Sequence, residues 1–500
     1  MNDADLVLGL DVSTTATKAI LIASDGSVLG VASSEYDFES PQPLWAEQDP
    51  ALWWTAACES IATIMRDADV SAERIAAIGA AGQMHGLVLL DEDEEVVRPA
   101  ILWNDQRTQT QCDAIHETVG RERFISITGN VALTGFTAPK LLWVRDHEPE
   151  VWARARHMLL PKDYVRFMLT GEHALDVADG AGTVLFDLKT RTWSPEVAEA
   201  LGLDSGLLPR TVEGPEVVGV VSEQAAVATG LRPGIPVVGG AGDQAGNAVG
   251  VGAVVPGIAA MSVGTSGVVF APTAGPAVEP DGRLHAFCHA VPGTWHLMGV
   301  TLSAAGSLKW LRDEVAPDAS WDELTALAEP IPPGAEGLVF LPYLSGERTP
   351  YPDPHARAAF VGLTVRHGLG HMVRAVLEGV AFSLRDVFEL VSKTAPDPLR
   401  ELRASGGGTN SPLWRQIIAD VLGAPISLTR TAEGVATGAA ILAAVAAGWY
   451  PTVEAACEAM VEVTDTTEPG SNAGAYEKAY AVYRSLYPAL KDTFADLAAV

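Results

Sequence analysis

The sequence predicts an α/β protein built from two related domains, and three observations carry that reading. The N-terminal stretch reads as three strands, a helix and a further strand. A strand–turn–strand unit of the same kind recurs in the second half of the chain, and the C-terminal part carries helical periodicity.

Taken in order, residues 6–12 are apolar, an apolar run returns over residues 18–23, and residues 28–36 follow the turn signal Ser24-Asp25-Gly26. Residues 51–68 have a helical pattern opened by Asp49-Pro50, and residues 75–79 read as a buried strand. Between Pro233 and Val278 the only charged side chain is Asp243, in a segment rich in glycine and small residues, with Pro236 and Pro256 as breaks. Residues 258–270 then repeat the device of residues 6–22, an apolar strand, a tight Gly/Ser/Thr turn and another apolar strand. We read the recurrence as a duplication in which each domain opens with a hairpin whose turn can hold phosphate. Farther on, Val373, Leu377, Val380, Leu384, Val387 and Val391 share one helical face. Residues 434–447 form a helical run of small residues suited to close packing, and Tyr476, Tyr480, Tyr483 and Tyr487 form a packing stripe.

Composition narrows the class. The chain has 500 residues, 48% hydrophobic and 19% charged, which is globular rather than disordered. Its formal charge of −30, from 33 basic and 63 acidic side chains, repels nucleic-acid backbones and anionic lipid, so neither is expected as a partner. A phosphate site must then be built from backbone amides and a metal. Cys58, Cys112, Cys288 and Cys457 show no CxxC spacing, the pattern of a reduced compartment. The acidic N-terminus lacks the regions of a secretion signal, and apolar runs are broken short of a membrane span. A cytoplasmic protein is expected.

Five segments carry candidate chemistry. Asp11 ends the first strand, where a carboxylate suits hydrated Mg²⁺; Thr14, Thr15 and Lys18 follow in a turn that can meet phosphate oxygens. An ordinary hairpin turn is the plainer reading of that cluster. Ser262–Gly267, with Gly264 and Thr265, is a second candidate phosphate turn, and residues 404–411, with Gly407 and Asn410, form a glycine turn before a helix. Neither a P-loop nor a GxGxxG pattern is present. Asp243, within Gly239-Gly240-Ala241-Gly242-Asp243-Gln244, is expected in a cleft, with small neighbours leaving room for a substrate and a carboxyl pKa raised by the lack of nearby charge. An Asp so placed can take a hydroxyl proton during phosphoryl transfer; its alternative is a helix N-cap. Met84 and His85 follow a strand, where Met84 can pack a sugar face and His85 bond a hydroxyl; a structural histidine is the alternative. His285, Cys288, His289 and His296 lack an acidic partner at metal-ligand spacing, which argues against a zinc site.

Together these segments resemble the FGGY family of carbohydrate kinases, most closely its xylulokinase branch, over essentially the whole chain. The resemblance is carried by Ala81–Leu87 (AGQMHGL), Ile101–Arg107 (ILWNDQR), Gly242-Asp243-Gln244, Ser262–Gly267, Leu341–Arg348 (LPYLSGER) and Gly406-Gly407-Gly408. It implies two actin-like ATPase domains with a ribonuclease-H-like core and a cleft between them, the sugar-binding domain over residues 1–246 and the nucleotide-binding domain over 247–500. It further implies Asp11 as the Mg²⁺ ligand, Thr14, Thr15 and Lys18 as the first phosphate turn, and Met84, His85, Asp243 and Gln244 on the sugar. Asp243 becomes the catalytic base, Gly264 and Thr265 the second phosphate turn, and Gly306, Gly407 and Asn410 nucleotide contacts. The family turn has Gly where this chain has Ser13. The implied reaction is phosphorylation of D-xylulose by MgATP, and a homodimer is common in the family. The rivals are a kinase for another ketose or polyol such as ribulose, an actin-like ATPase or sensor without sugar kinase activity, and a zinc hydrolase.

Overall fold

A computed structural model describes residues 4–430 and 433–498. Two mixed sheets of seven strands organise it, one in each half of the chain.

In the first sheet Leu6–Val12, Ala16–Ala23 and Val28–Glu35 form an antiparallel meander. Ile75–Gly82 joins Leu6–Val12 in parallel, Pro236–Val238 joins Ile75–Gly82 in parallel, and Val217–Val220 closes that edge antiparallel. In the second sheet Ile258–Val263, Gly267–Thr273 and Trp295–Thr301 repeat the meander. Glu401–Ser405 is parallel to Ile258–Val263, Ile426–Thr429 is parallel to Glu401–Ser405, and Val463–Thr467 closes antiparallel. The order and direction of six strands therefore match across the two sheets; the seventh is Ala241–Gly242, parallel to Ile75–Gly82, in the first and His285–Cys288, beside Trp295–Thr301, in the second. The duplication expected from the repeated hairpin is present in the topology.

Local chemistry explains the elements. Leu6–Val12 is buried at every position because strands flank it on both sides, which suits a continuous apolar run. Pro50–Asp67 starts where expected, with the Asp49 carboxylate accepting the Ala51 N–H at 2.9 Å and Pro50 at the first helical position. The face carrying Val373 to Val391 belongs to the helix Leu369–Thr394. The tyrosine stripe lies on Ala473–Ala498 and is buried; Tyr480 donates to Asp386 at 2.6 Å and Tyr487 to Asp353 at 2.8 Å.

Two topologically equivalent helices, Asp243–Gly250 and Gly434–Ala446, meet where the halves join. Each follows the second parallel strand added to its sheet. Their contact is backbone on backbone: a Cβ added to Gly438 would stand 1.9 Å from the Gly246 carbonyl oxygen, and one on Gly250 1.9 Å from that of Gly434. Gly434–Ala446 also lies on the first sheet, where Cβ atoms on Gly9 and Gly79 would sit 2.1 and 2.0 Å from the carbonyl oxygens of Ala436 and Ala439. The small-residue run serves this close approach. Residues 246 and 247 fall within the single helix Asp243–Gly250, which passes directly through the expected domain boundary.

Candidate active site

Asp11 is the penultimate residue of its strand, opposite Lys18 on one side and Ala81 on the other. Its carboxyl pKa is pushed up to about 7, by burial first and by the Asp243 charge second; Lys18 pulls it back and Glu433 adds to the rise. Asp11 and Asp243 are neighbours on one sheet, Asp11 opposite Ala81 and Gly242, just before Asp243, opposite Gly82.

The turn after Asp11 is tied by the Ser13 N–H and hydroxyl, which both donate to Ala16 O at 2.9 and 2.8 Å. Ser13 does not adopt a positive φ, so serine replaces the family glycine without backbone strain. The Thr14 hydroxyl donates to Gln83 Oε1 at 3.3 Å and accepts from Trp103 Nε1 at 3.0 Å, while Thr15 is exposed at the tip. Lys18 Nζ lies 2.7 Å from Glu433 Oε2, so the expected phosphate partner is held by a carboxylate just before the helix Gly434–Ala446.

The glycines before Asp243 have a different use from the expected one. Gly240 has φ +79°, and a Cβ there would lie 1.8 Å from Ala80 O; one on Gly239 would lie 2.6 Å from Glu213 O. The loop is pressed onto the neighbouring backbone, so these small residues serve close packing rather than leaving open room for a substrate. Gly242 meets Met84 likewise, with an added Cβ 2.6 Å from Met84 Cγ. This packing delivers Asp243 beside Met84. Asp243 is the first residue of its helix, and the N-cap is Gly242 without a side-chain bond, which overturns the capping alternative. Burial pushes the Asp243 carboxyl up to about 6, against the lowering effect of the Gln244 N–H and side chain.

His85 sits at φ +69°, a left-handed conformation rare for a non-glycine residue. Its carbonyl accepts from Lys140 Nζ at 2.8 Å and Thr137 Oγ1 at 3.1 Å, which hold the turn. Nδ1–H donates to Gly182 O at 2.8 Å, and burial keeps the ring neutral, so Nε2 is left as an acceptor for a hydroxyl. Phe136 flanks the ring at 4.8 Å between centroids, and Phe287 of the second half stands at 6.1 Å.

In the second half Gly264, Thr265, Gly306, Gly407 and Asn410 line one cavity of about 570 Å³. The Gly264 and Thr265 carbonyls accept from Ala305 and Ala304 N–H at 2.7 and 2.8 Å, which sets the turn against the helix Ala305–Val315. A Cβ on Gly306 would stand 2.9 Å from Thr265 O, so glycine is needed for that approach. The Ser411 hydroxyl accepts the Trp414 N–H at 3.3 Å and caps the helix Pro412–Leu422.

The family models for the FGGY family of carbohydrate kinases match in full order, the N-terminal domain over residues 6–250 and the C-terminal domain over residues 259–447. The chain belongs to this family. Among curated relatives it is 40% identical to the xylulose kinase of Escherichia coli (strain K12) over 88% of this chain and 90% of that protein. It is 38% identical to the xylulose kinase of Lactococcus lactis subsp. lactis (strain IL1403), over 96% of each. Among solved structures, a xylulose kinase from Brucella ovis superposes with TM-score 0.90 at 41% identity, covering 98% of this chain and 100% of that one. The FGGY protein is thus an ATP-dependent carbohydrate kinase with two actin-like domains.

In this carbohydrate kinase the donors around Asp11 fit Mg²⁺. Burial first and the neighbouring Asp243 charge second lift the Asp11 pKa, a penalty that a divalent cation would relieve, and oxygen is the ligand that ion prefers. Among the described residues no group of three or more His, Cys, Asp and Glu forms a metal cage, and Mg²⁺ commonly relies on one or two carboxylates plus water and phosphate. In the histidine group, His289 uses both nitrogens, accepting Ala290 N–H at 2.7 Å and pairing with Ala253 O at 3.2 Å, while His296 stacks on Phe270 at 3.9 Å. No helix among the described residues is long and apolar enough to cross a membrane.

Sequence reasoning missed several residues of the site. Trp321, Asp322 and Thr325, on the helix Trp321–Ala328, line the same cavity as Gly407. Their signal was a capping box, Ser320 with Glu323, that places an exposed Trp at the helix start. Glu433 left no local signal, because its partner lies in the first hairpin.

Proposed function

We propose that this carbohydrate kinase transfers the γ-phosphoryl group of ATP to the C5 hydroxyl of D-xylulose, giving D-xylulose 5-phosphate and ADP in the cytoplasm. The observation that carries the reading is the placement of Asp243, which heads a helix directly after Gly242, itself packed on Met84, and lies close enough to Asp11 to raise its pKa. The xylulose kinases at 38–40% identity over most of the chain supply the sugar.

In this mechanism Met84 presents its thioether to the apolar sugar face, His85 Nε2 accepts a hydroxyl, and Gln244 bonds a further hydroxyl beside the base. The Asp243 carboxylate takes the C5 hydroxyl proton as that oxygen forms its bond to the γ-phosphorus. The bond from phosphorus to the β,γ-bridging oxygen breaks, and the pair of electrons leaves with ADP. A carboxyl pKa of about 6 suits a general base, being ionised at neutral pH yet more basic than an exposed Asp. The turn at Thr14 and Thr15, with Lys18, and the turn at Gly264 and Thr265 grip the phosphates from opposite domains. Gly306, Gly407 and Asn410 hold the nucleoside. Bound at Asp11, Mg²⁺ would neutralise phosphate charge.

Asp243→Asn tests the base in a coupled ADP assay. Turnover should fall by about 10²–10⁴-fold while ATP affinity persists; near-normal turnover refutes the assignment. A panel of xylulose, ribulose, gluconate and glycerol tests the sugar, and xylulose should give the highest kcat/KM. ADP release indifferent to every sugar would instead favour an ATPase or sensor.

A further inference from the structure

Beneath the sugar side of the cleft lies a charge cluster that the mechanism above does not use. Lys162, Asp163, Arg166, Asp176 and Asp179 are each 0% exposed. Lys162 Nζ lies 2.6 Å from Asp163, 2.5 Å from Asp176 and 3.3 Å from Asp179, and Arg166 lies 2.8 Å from Asp163. Three carboxylates thus face two cations, and Asp179 Oδ1 receives no hydrogen bond. Burying five ionisable groups is costly, as the Asp179 carboxyl held well above the ordinary range by burial reflects, and an apolar cluster would commonly serve stability as well or better. The cost is understandable if the cluster aims something.

Its outward connections run to both halves of the sugar site. Arg166 Nη1 donates to Gly239 O at 2.7 Å, at the start of the loop that ends in Asp243, and Nη2 donates to Ala174 O. Asp176 accepts the Ala178 and Asp179 N–H groups at 2.9 and 3.1 Å, capping the helix Val177–Ala181. The residue following that helix, Gly182, supplies the carbonyl that orients His85 Nδ1 at 2.8 Å. The helix Pro161–Thr170, which bears Lys162 and Arg166, also abuts the His85 turn: a Cβ on Gly86 would lie 2.6 Å from Pro161 Cγ. One rigid knot therefore touches the loop of the base and the support of the histidine.

We infer that Arg166 and Lys162 are positioning residues that fix Asp243 relative to His85, so that a sugar held by the histidine presents its hydroxyl to the carboxylate. This rests on the proposed roles of those two residues. Arg166 grips one side through Gly239, and Lys162 grips the other through Asp176. Among the described residues the five side chains bond to no residue that lines the nucleotide cavity, so the expected influence is on the acceptor side. A displacement of about 1 Å between base and hydroxyl can cost on the order of 100-fold in rate.

The test is Arg166→Lys, which retains the cation beside Asp163 but is too short and too unidirectional to hold both carbonyls. A second variant, Arg166→Met with Asp163→Asn, removes the cation together with its carboxylate, while Lys162 keeps Asp176 and Asp179. Both are assayed with the sugar that wild-type protein turns over best, alongside Asp243→Asn. The expected result is a 10- to 100-fold loss of kcat/KM for sugar with the KM for ATP within twofold of wild type. A merely structural role lowers kcat in proportion to the folded fraction and leaves both KM values unchanged. That pattern, full sugar kcat/KM in either variant, or failure of both to fold, overturns the inference. If Asp243→Asn is itself active, the failure belongs to the proposed function instead.

Discussion

Substituting Gly438 by alanine probes the joint between the two halves. The added methyl would stand 1.9 Å from Gly246 O and 3.0 Å from Gly250 N, atoms of a facing helix backbone that no side-chain rotation can move. The helices must separate by more than an ångström to reach ordinary contact. Overpacking of this kind costs about 1–3 kcal/mol, against which alanine's better helix propensity returns about 1 kcal/mol. A net loss of up to about 2 kcal/mol is expected, read as a melting midpoint lower by at most a few degrees. The separation also moves the helix headed by Asp243, so kcat should fall with the midpoint. Gly474→Ala is the control: that glycine lies in the helix Ala473–Ala498, and a Cβ there meets nothing within 4 Å. It should be neutral or slightly stabilising. Differential scanning fluorimetry and the coupled ADP assay on both variants decide the matter. A Gly438→Ala protein that melts at or above the wild-type temperature with normal turnover would refute the close contact.

Further outcomes follow from the electrostatics and the cavity. Because the base must be ionised, kcat/KM for sugar should fall as pH drops through about 6, approaching tenfold per pH unit below it; a flat profile down to pH 5 contradicts the assignment. Asp11→Asn should raise the melting temperature of metal-free protein. The folded pKa of about 7 lies above the ordinary 3.8, so ionisation opposes folding, a penalty absent below pH 3.8 and complete above pH 7. It amounts to at most ~4 kcal/mol, so the gain should appear at pH 8 and vanish near pH 4. Trp321→Ala removes an aromatic wall of the cavity and should raise the KM for ATP about 3- to 10-fold, with the KM for sugar unchanged.

Much of the fold was legible because its signals are local. The two hairpins, the Asp49 cap and the small-residue helix each follow from a few adjacent residues. Strand lengths were less legible: the apolar pattern marks a strand over residues 75–79, but Ile75–Gly82 runs on because Leu6–Val12 pairs with it as far as Val12. At the site, the isolation of Asp243 among uncharged residues predicted its raised pKa. The purpose of its glycines was hidden, since Ala80 and Glu213 are far off in sequence yet supply the surfaces that Gly240 and Gly239 lie against. The same holds for Lys18, whose carboxylate partner belongs to the other half of the molecule.

That ion pair has a mechanical consequence. Asp243 opens one of the two equivalent helices and Glu433 immediately precedes the other, so the duplicated scaffold carries an acid at both heads. Any swing of one sheet against the other about the glycine seam changes the Lys18–Glu433 separation, whereas Asp11 and Asp243 are both tied to Ile75–Gly82 and move together. The ion pair therefore ties the first hairpin to the head of the helix Gly434–Ala446 across the joint, while the base rides with the first sheet.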